Sequence, residues 1–197
     1  MKQRIFLIRH GETEWSLSGQ HTGLTDIPLT ENGKNQALQI KTLLHNHTFQ
    51  AVFCSPLQRA KKTCEIAGFT PVHIEPLLSE WNYGDYEGLT TPFIHQTNPH
   101  WNIFKNGAPN GETPEDVKAR TEKVLSLIKT IPGDVALVAH GHFLRALVTT
   151  WLKLPIEMGK LFHLSPATIS ILGFERQQHV ITLWNASPSQ LIPTLAK

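Results

Sequence analysis

The sequence predicts an α/β protein: a three-layer sandwich with a mostly parallel central sheet, helices on both faces, and an inserted lid segment over the carboxyl ends of the strands. Short β-branched apolar runs alternate with amphipathic helical segments, which is typical of parallel sheets. Residues 77–111 break this alternation with aromatic, proline and glycine residues of weak periodicity, and such excursions usually form a lid or one wall of a site. The 197 residues are enough for a single domain, expected over residues 1–197.

The first half of the chain begins with a strand. Residues 4–8 are apolar and β-branched enough for a buried strand, and a polar loop with glycines follows at residues 11–29. Thr30 is the predicted N-cap of the next helix, with Glu31 in its first turn. The apolar stripe of that helix comprises Ala37, Leu38, Ile40, Leu43 and Leu44. A second strand is expected at residues 51–54, a helix at 56–67 and a third strand at 71–74.

The second half of the chain repeats the pattern. Thr113 is the predicted N-cap of a helix with Pro114 at its first position and Asp116 three residues after the cap, an arrangement typical of helix N-termini. This helix is expected to extend to about Lys129, and residues 135–139 form a clear buried strand. The remaining predicted elements are a helix at 142–152 and a hairpin of strands at 168–174 and 180–184 around the turn 175–179.

Composition and charge indicate an ordinary globular protein. Hydrophobic residues make up 40% and charged residues 17%, and 18 basic against 16 acidic residues leave a net charge of +2. No block of like charge indicates a nucleic-acid or membrane partner, and no apolar run approaches the roughly 20 residues of a membrane span. Residues 5–8 are too short for a secretory signal, and Cys54 and Cys64 suggest no disulfide framework, so we expect a reducing cytoplasm. The oligomeric state stays open between a monomer and a small homo-oligomer.

Polar residues follow three of the predicted strands. Arg9 and His10 follow the first strand, residues 55–59 follow the second, and residues 140–142 follow the strand that precedes the last helix. Functional groups of parallel sheets collect just past the carboxyl ends of the strands. We therefore expect these three segments to contribute to one site.

Each of these segments has an ordinary structural interpretation when it is taken alone. A histidine that ends a strand is usually a hydrogen-bonded structural residue, and Arg59, near Lys61 and Lys62, would normally be a surface charge. His140 and His142 resemble a fragment of a metal site, but no cysteine or acidic ligand lies beside them at zinc-like spacing, so no metal is expected. The combination at three strand ends favours a shared chemical role.

Phosphoryl transfer fits that role. A phosphoryl group in transfer carries its charge on three equatorial oxygens and needs several convergent donors. Arg9 and Arg59 can each donate bidentate hydrogen bonds, and His140 would add another if it were protonated. The helix that begins near His142 would present its positive N-terminal end to the same place. His10 is the candidate nucleophile, because a neutral imidazole can attack through one nitrogen while the other donates to a backbone carbonyl.

A proton donor for the leaving-group oxygen is also needed, and a carboxylic acid can supply it and then activate water. The insertion offers Glu80, Asp85 and Glu87. Asp85 and Glu87 belong to a glycine-flanked, turn-like segment in which a solvated or turn-stabilising role is common. Glu80 has Trp81 as a neighbour, which could desolvate it and favour the protonated acid. These residues alone leave the choice open.

Four ordered motifs resemble the histidine phosphatase superfamily, which has the phosphoglycerate mutase-like fold. They are LIRHGET at residues 7–13, SPLQRA at 55–60, Glu80 ahead of Tyr83-Gly84, and AHG at 139–141. The similarity covers about residues 4–185. The resemblance implies His10 as the nucleophile, Arg9, Arg59 and His140 as the phosphate pocket, and Glu80 as the proton donor, with no cofactor and no metal. It also implies that a loop with Gln20, Thr22 and Gly23 contacts the substrate phosphate.

Further segments look most like the fungal sedoheptulose-bisphosphatase branch of that superfamily. They are WS at residues 15–16, QHTGLTD at 20–26, EWNYGDYEG at 80–88, WNI at 101–103 and HGHFLR at 140–145. This resemblance implies substrate contacts from Ser16, Tyr83, Gly141, His142 and Arg145, with Arg145 toward the distal part of a sugar bisphosphate. The chain departs from phosphoglycerate mutases, which usually have Asn in place of Ser16 and a longer insertion with paired arginines. Hydrolysis is therefore favoured over mutase activity.

The expected function is a phosphomonoesterase that forms a phosphohistidine and acts on a small-molecule phosphate ester, a sugar phosphate or a sugar bisphosphate. One alternative is a broad-specificity phosphatase or one for a nucleotide or cofactor precursor such as a ribazole phosphate. Mutase activity is a further alternative. A different class is a non-catalytic module that binds phosphorylated ligands, although every residue that the chemistry needs is present.

Overall fold

The computed structural model describes residues 3–188, and within them six strands form one sheet. The strands are β1 (Ile5–Arg9), β2 (Ala51–Cys54), β3 (His73–Ile74), β4 (Val135–Ala139), β5 (Ile169–Glu175) and β6 (Gln178–Ala186), and their order in the sheet is β3-β2-β4-β1-β5-β6. β1, β2, β3 and β4 run parallel, whereas β5 is antiparallel to β1 and β6 is antiparallel to β5. The predicted mostly parallel sheet is confirmed.

The helices alternate with these strands. They are α1 (Glu14–Ser18), α2 (Glu31–Leu44), α3 (Gln58–Ala67), α4 (Thr91–Ile94), α5 (Ile103–Asn106), α6 (Pro114–Ile128) and α7 (Gly141–Trp151). Short 3-10 helices occur at Pro76–Leu78, Gly84–Tyr86 and Ile156–Leu161. The segment 77–111 therefore consists of short helical pieces, as expected.

Side chains of β1 alternate between the two faces of the sheet and enter two separate cores. Phe6 and Ile8 pack with apolar residues of α2 and α3, whereas Ile5 and Leu7 pack with apolar residues of α6 and α7. A strand that is buried on both faces has a continuous apolar sequence, which is why β1 and β4 could be predicted. Helices cover both faces, so the predicted three-layer sandwich is confirmed.

Aromatic residues of the segment 77–111 belong to the core that α6 and α7 share. Trp81, Tyr83, Trp101 and Phe104 are all buried there. Most of these rings therefore fill the interior of the insertion, and among the four only Tyr83 also borders the cavity described below.

Both predicted helix N-termini are confirmed in the structure. The side-chain oxygen of Thr30 accepts a hydrogen bond from the backbone N–H of Gly33 at 3.0 Å at the start of α2. At the start of α6, Thr113 and Asp116 form a reciprocal capping box, with N–H to side-chain distances of 3.0 and 3.2 Å. Each cap satisfies helix N–H groups that have no partner within the helix.

Some boundaries differ from the prediction for local reasons. α1 lies within the predicted loop 11–29, and it has no buried residue, so its sequence has no apolar periodicity to detect. α3 begins at Gln58 because Leu57 is still extended (φ −72°, ψ 138°). β6 starts earlier than predicted because Glu175 already pairs with Gln178, across a turn in which Arg176 has a positive φ of 53°.

No helix among the described residues is long and apolar enough to cross a membrane. The single domain predicted for residues 1–197 includes residues 1–2 and 189–197, which lie outside the described part of the chain. Its extent stays a prediction.

Replacing Thr30 with alanine is expected to lower the free energy of unfolding by about 1 kcal/mol. The hydroxyl group caps α2 and also donates to Glu12 Oε1 at 2.7 Å. Urea unfolding followed by circular dichroism measures the change. Thr42→Ala is the matched control, because Thr42 is exposed in the same helix and its replacement should stay within about 0.5 kcal/mol. Equal destabilisation by the two changes would contradict the capping role.

Candidate active site

Three strand ends meet at one edge of the sheet and bring predicted site residues together. The backbone N–H of His10 donates to the carbonyl of Ala139 at 3.0 Å, and that of Ser55 donates to the carbonyl of Val138 at 3.0 Å. The segments after β1, β2 and β4 therefore start side by side. The ring centroids of His10 and His140 lie 5.1 Å apart.

His10 is buried, with only 5% of its surface exposed. Its Nδ1 lies 2.7 Å from the carbonyl oxygen of Gly11. Because a carbonyl only accepts, Nδ1 holds the proton and Nε2 keeps its lone pair. Burial, followed by the charges of Arg59 and Arg9, lowers the pKa of His10 well below its usual range. The ring is a neutral imidazole with an unprotonated Nε2, which is the form that a nucleophile requires.

Arg9 brings a buried positive charge to the end of β1. Its Nη1 donates to the carbonyl of Leu164 at 2.5 Å, whereas its Nε is a buried donor with no hydrogen-bond partner among the described residues. Burial lowers the pKa of Arg9 to about 10, so the guanidinium stays charged at neutral pH. An unpaired buried N–H costs free energy, and an anionic ligand would provide the missing acceptor.

Arg59 is fully buried, which excludes the surface-charge interpretation. Its Nη atoms donate to the carbonyls of Thr25 at 2.9 Å, Gly23 at 2.8 Å and Thr22 at 3.3 Å. The guanidinium therefore holds the backbone of residues 22–25, the loop that the sequence predicts at the substrate phosphate.

His140 makes hydrogen bonds through both ring nitrogens. Arg59 Nε donates to Nδ1 at 3.2 Å, and the remaining ring proton, on Nε2, is donated to Ser55 Oγ at 2.6 Å. Burial, followed by the charge of Arg59, lowers the pKa of His140 well below its usual range. His140 is therefore neutral here, not the protonated donor considered from the sequence, and a nearby phosphate dianion would be needed to favour that form.

Glu80 lies at the N-terminus of α7 and is 5% exposed. Its Oε1 accepts from the backbone N–H groups of Trp81 and Phe143, both at 2.8 Å, and its Oε2 accepts from that of His142 at 3.0 Å. The positive end of α7, expected to face the phosphate, therefore donates to this carboxylate instead.

The two competing acids have other partners. Asp85 accepts from Asn110 Nδ2 at 2.9 Å, and Glu87 accepts from the backbone N–H groups of Gly23 at 2.7 Å and Thr25 at 3.1 Å. Glu87 thus supports the loop that Arg59 holds through its carbonyls. Among the described residues, neither acid lines the cavity that contains His10.

A cavity of about 80 Å³ lies at this edge of the sheet. Its lining comprises Arg9, His10, Thr13, Ser16, Gln20, His21, Thr22, Glu80, Tyr83, Gly141, His142, Arg145 and Leu164. A larger cavity of about 700 Å³ beside Trp151 has no comparable set of arginine, histidine and acidic side chains. The chemistry of the lining, and not the volume, therefore identifies the site. Of the predicted site residues, Arg59, His140 and Gly23 are not in the lining. Arg59 donates to the carbonyl of the lining residue Thr22 and also to His140, and Gly23 follows Thr22 in the chain.

Ser16 and Gln20 line the cavity, but their side chains also stabilise local structure. Ser16 Oγ accepts from the N–H of Thr13 at 2.9 Å in the capping box of α1. Gln20 Nε2 donates to the carbonyl of Gly88 at 2.9 Å and so links the loop to the insertion. Substrate contacts from these two side chains stay predictions.

Tyr83, His142 and Arg145 form one wall of the cavity. The Tyr83 hydroxyl is hydrogen-bonded to His142 Nδ1, while burial raises the pKa of Tyr83 and lowers that of His142, so both side chains are neutral. Arg145 Nε donates to the carbonyl of Gly159 at 3.0 Å, and its guanidinium carbon lies 4.7 Å from the ring centroid of Phe104. This wall combines a positive charge with polar ring atoms.

Gly141 begins α7 directly against Arg9. A Cβ atom at this position would lie 3.2 Å from the guanidinium carbon of Arg9. Any side chain here would therefore press on the charged group, which gives the glycine a steric role next to the nucleophile.

Three lining residues were not among the predicted site residues: Thr13, His21 and Leu164. His21 is the titratable one of the three. Its ring stacks on Tyr83 with centroids 4.7 Å apart, and its Nε2 lies 3.1 Å from Thr91 Oγ1. Burial lowers the pKa of His21 to about 4. Its place between two predicted contact residues, Gln20 and Thr22, was the available signal.

No group of three or more histidine, cysteine, aspartate or glutamate side chains within residues 3–188 is arranged to hold a metal ion. The titratable side chains that line the cavity are two arginines, three neutral histidines, one tyrosine and one carboxyl group.

A match to a known family shows to which superfamily this chain belongs. The model of the histidine phosphatase superfamily, branch 1, matches residues 5–187. The chain belongs to that superfamily. An acid phosphatase of Mycobacterium tuberculosis is 43% identical, with 87% of each chain covered. A sedoheptulose 1,7-bisphosphatase of Saccharomyces cerevisiae is 33% identical, with 78% of this histidine phosphatase and 69% of the yeast protein covered.

A solved structure gives the same result for the fold. The structure of the open reading frame Rv3214 from Mycobacterium tuberculosis matches this histidine phosphatase with a TM-score of 0.92 and 38% identity, covering 95% of this chain and 100% of the other. The predicted resemblance to the superfamily and its fold is therefore confirmed.

The stability of this histidine phosphatase is expected to fall as the pH drops from about 6.5 through about 4. Folding lowers the pKa of His21 to about 4, so the unfolded state binds protons more readily in this window, and each acidification step favours unfolding. Folding also lowers the pKa of the buried His10 and His140 and of the partly buried His142, so these rings likewise make the protein less stable as the pH falls. His21→Phe should make the slope of unfolding free energy against pH shallower by up to about 1.4 kcal/mol per pH unit.

Urea titrations at several pH values between 4 and 7 measure this slope. His100→Phe is the matched control, because it makes the same replacement at an exposed histidine. A slope that His21→Phe leaves at the wild-type value would contradict the burial-induced shift.

Proposed function

We propose that this histidine phosphatase is a phosphomonoesterase that works through a phosphohistidine on His10, without a metal ion. The observation that carries the proposal is the state of His10: a buried, neutral imidazole with Nδ1 held by the Gly11 carbonyl, flanked by the charges of Arg9 and Arg59. A neutral Nε2 beside two guanidinium groups suits attack on an anionic phosphorus centre.

In the first step, His10 Nε2 attacks phosphorus while the bond from phosphorus to the ester oxygen breaks. The electron pair of that bond goes to the leaving oxygen, which takes a proton from Glu80. Glu80 acts as the acid in this step and is left as the carboxylate that the second step requires. The same cavity contains Glu80 and His10, so one bound ester can reach both groups.

In the second step, the Glu80 carboxylate takes a proton from water, whose oxygen attacks phosphorus. The bond from phosphorus to His10 breaks, its electron pair returns to Nε2, and inorganic phosphate leaves. The role proposed for Arg9, Arg59 and His140 is to stabilise the charge on the phosphoryl oxygens in both steps. The unpartnered Nε of Arg9 supports this role.

We further propose a sugar phosphate or sugar bisphosphate as the substrate. The yeast relative is named sedoheptulose 1,7-bisphosphatase, and Arg145 supplies a guanidinium in the same cavity as His10. Hydrolysis is proposed over mutase activity because Ser16 stands where phosphoglycerate mutases usually have Asn. A cytoplasmic location, and the absence of nucleic-acid and membrane partners, stay predictions from composition and charge.

A broad-specificity phosphatase is the second candidate. The mycobacterial relative with 43% identity is named an acid phosphatase, a name that specifies no single substrate. The two candidates share the chemistry on His10 and differ only in the leaving group that the cavity accepts.

Replacing His10 with alanine is expected to reduce phosphate release by on the order of a thousand-fold or more, because the nucleophile is lost. The assay measures inorganic phosphate released from monophosphates, sugar bisphosphates and phosphoglycerates in excess EDTA. Wild-type turnover should persist in EDTA, and His100→Ala, at an exposed histidine, is the matched control. Turnover that EDTA abolishes, or that survives His10→Ala, would contradict the mechanism, and isomerisation of phosphoglycerate faster than hydrolysis would contradict the proposed reaction.

Arg145→Ala is expected to raise the Michaelis constant for sugar bisphosphates about ten-fold, through the loss of a charged hydrogen bond to the distal phosphate. The constants for monophosphates should change much less. Steady-state kinetics on both substrate classes measure the difference, with Arg176→Ala in the β5–β6 turn as the control. An unchanged constant for every bisphosphate would rule out this contact.

A further inference from the structure

We propose that Arg120 and Glu112 are positioning residues for Glu80, holding its carboxyl group where it can protonate the leaving oxygen. The inference rests on the proposed function, in which Glu80 is the proton donor. Neither residue lines the cavity within the described part of the chain, so neither is assigned contact with the substrate. Neither belongs to a motif that pointed to the site from the sequence.

Arg120, on α6, binds the main chain of the segment that leads to Glu80 and of Glu80 itself. Its Nη1 donates to the carbonyls of Leu77 at 2.7 Å and Ser79 at 2.8 Å, and its Nη2 lies 3.3 Å from the carbonyl of Glu80 itself. One rigid, planar guanidinium therefore fixes three carbonyls of the segment that carries the acid.

Glu112 binds both Arg120 and the residues that follow Glu80. It forms a bidentate ion pair with Arg120, with distances of 2.7 and 2.8 Å, and its Oε2 also accepts from the backbone N–H of Asn82 at 2.8 Å. The Glu112 carbonyl accepts from the indole N–H of Trp81 at 2.9 Å. Residues before and after Glu80 are thus tied to the same ion pair.

Arg120 also contacts the residue that holds the Glu80 carboxylate. Its guanidinium carbon lies 4.7 Å from the ring centroid of Phe143, whose backbone N–H donates to Glu80 Oε1 at 2.8 Å. Arg120 therefore contacts both the backbone of Glu80 and the residue whose N–H donates to the Glu80 carboxylate. Displacement of the guanidinium would move the carboxyl group relative to His10, and general-acid catalysis is sensitive to such shifts.

The leaving group provides a specific test of this role. A sugar alkoxide is a poor leaving group and needs the proton of Glu80 when its bond to phosphorus breaks. A para-nitrophenolate ion is a good leaving group and departs without it. The ratio kcat/KM covers the steps up to formation of the phosphohistidine, so it isolates this proton transfer from the later hydrolysis by water.

The experiment compares kcat/KM for para-nitrophenyl phosphate and for the sugar phosphate that the wild-type enzyme hydrolyses fastest. Arg120→Met, which keeps an unbranched apolar chain but loses the charge and the hydrogen-bond donors of the guanidinium, should lower the value for the sugar phosphate about ten- to a hundred-fold. The value for the aryl ester should fall less than about three-fold. Glu112→Gln is a milder second variant, expected to change the ratio in the same direction even if Arg120→Met fails to fold. Lys118→Met is the matched control, because Lys118 is exposed on the same helix and its only ion pair within residues 3–188 is a 3.9 Å contact with Glu122.

A selective loss on the sugar phosphate in a folded variant supports the positioning role. An equal loss on both esters, or no loss on either, would contradict it, since a merely structural role lowers both values together. Wild-type enzyme that releases phosphate from neither ester would instead contradict the proposed function, and this inference with it. Melting temperatures of all variants separate the loss of fold from the loss of position.

Discussion

In the sheet, β1 lies between β4 and β5, and its register with β4 pairs Arg9 with Ala139. The two parallel strands therefore end at the same level, and the residues that follow them, His10 and His140, come within 5.1 Å of each other. This pairing is the constraint on which the site depends. A shift by one residue would turn the side chains of β1 to the opposite faces and remove each of them from the core in which it packs.

Burial of charge and of neutral rings gives the site its chemical character. Arg9 and Arg59 are held in the interior by backbone carbonyls, and their charges together with desolvation keep His10 and His140 neutral. The carboxylate of Glu80 lies at the positive end of α7, where backbone N–H groups stabilise it. The arrangement places a neutral nucleophile among cations, with an acid at the edge of the same cavity.

The sequence predicted the elements whose signals are local. Continuous apolar runs identified β1 and β4, and caps at Thr30 and Thr113 identified the starts of α2 and α6, because these features depend only on neighbouring residues. α1 escaped prediction since it buries no residue. The partners of Arg59 could not be predicted, because they are carbonyls of a loop more than thirty residues away along the chain.

By itself, the sequence determined the fold class, the family and the three segments that follow β1, β2 and β4 into the site, because apolar periodicity and short motifs are properties of the chain order. Only the tertiary structure showed that Glu80, and neither Asp85 nor Glu87, lines the cavity with His10, that His21 also lines it, and that both nitrogens of His140 are hydrogen-bonded. These features depend on contacts between segments that are distant in the chain. Burial of the side chains in those contacts determines which groups are neutral and which are charged.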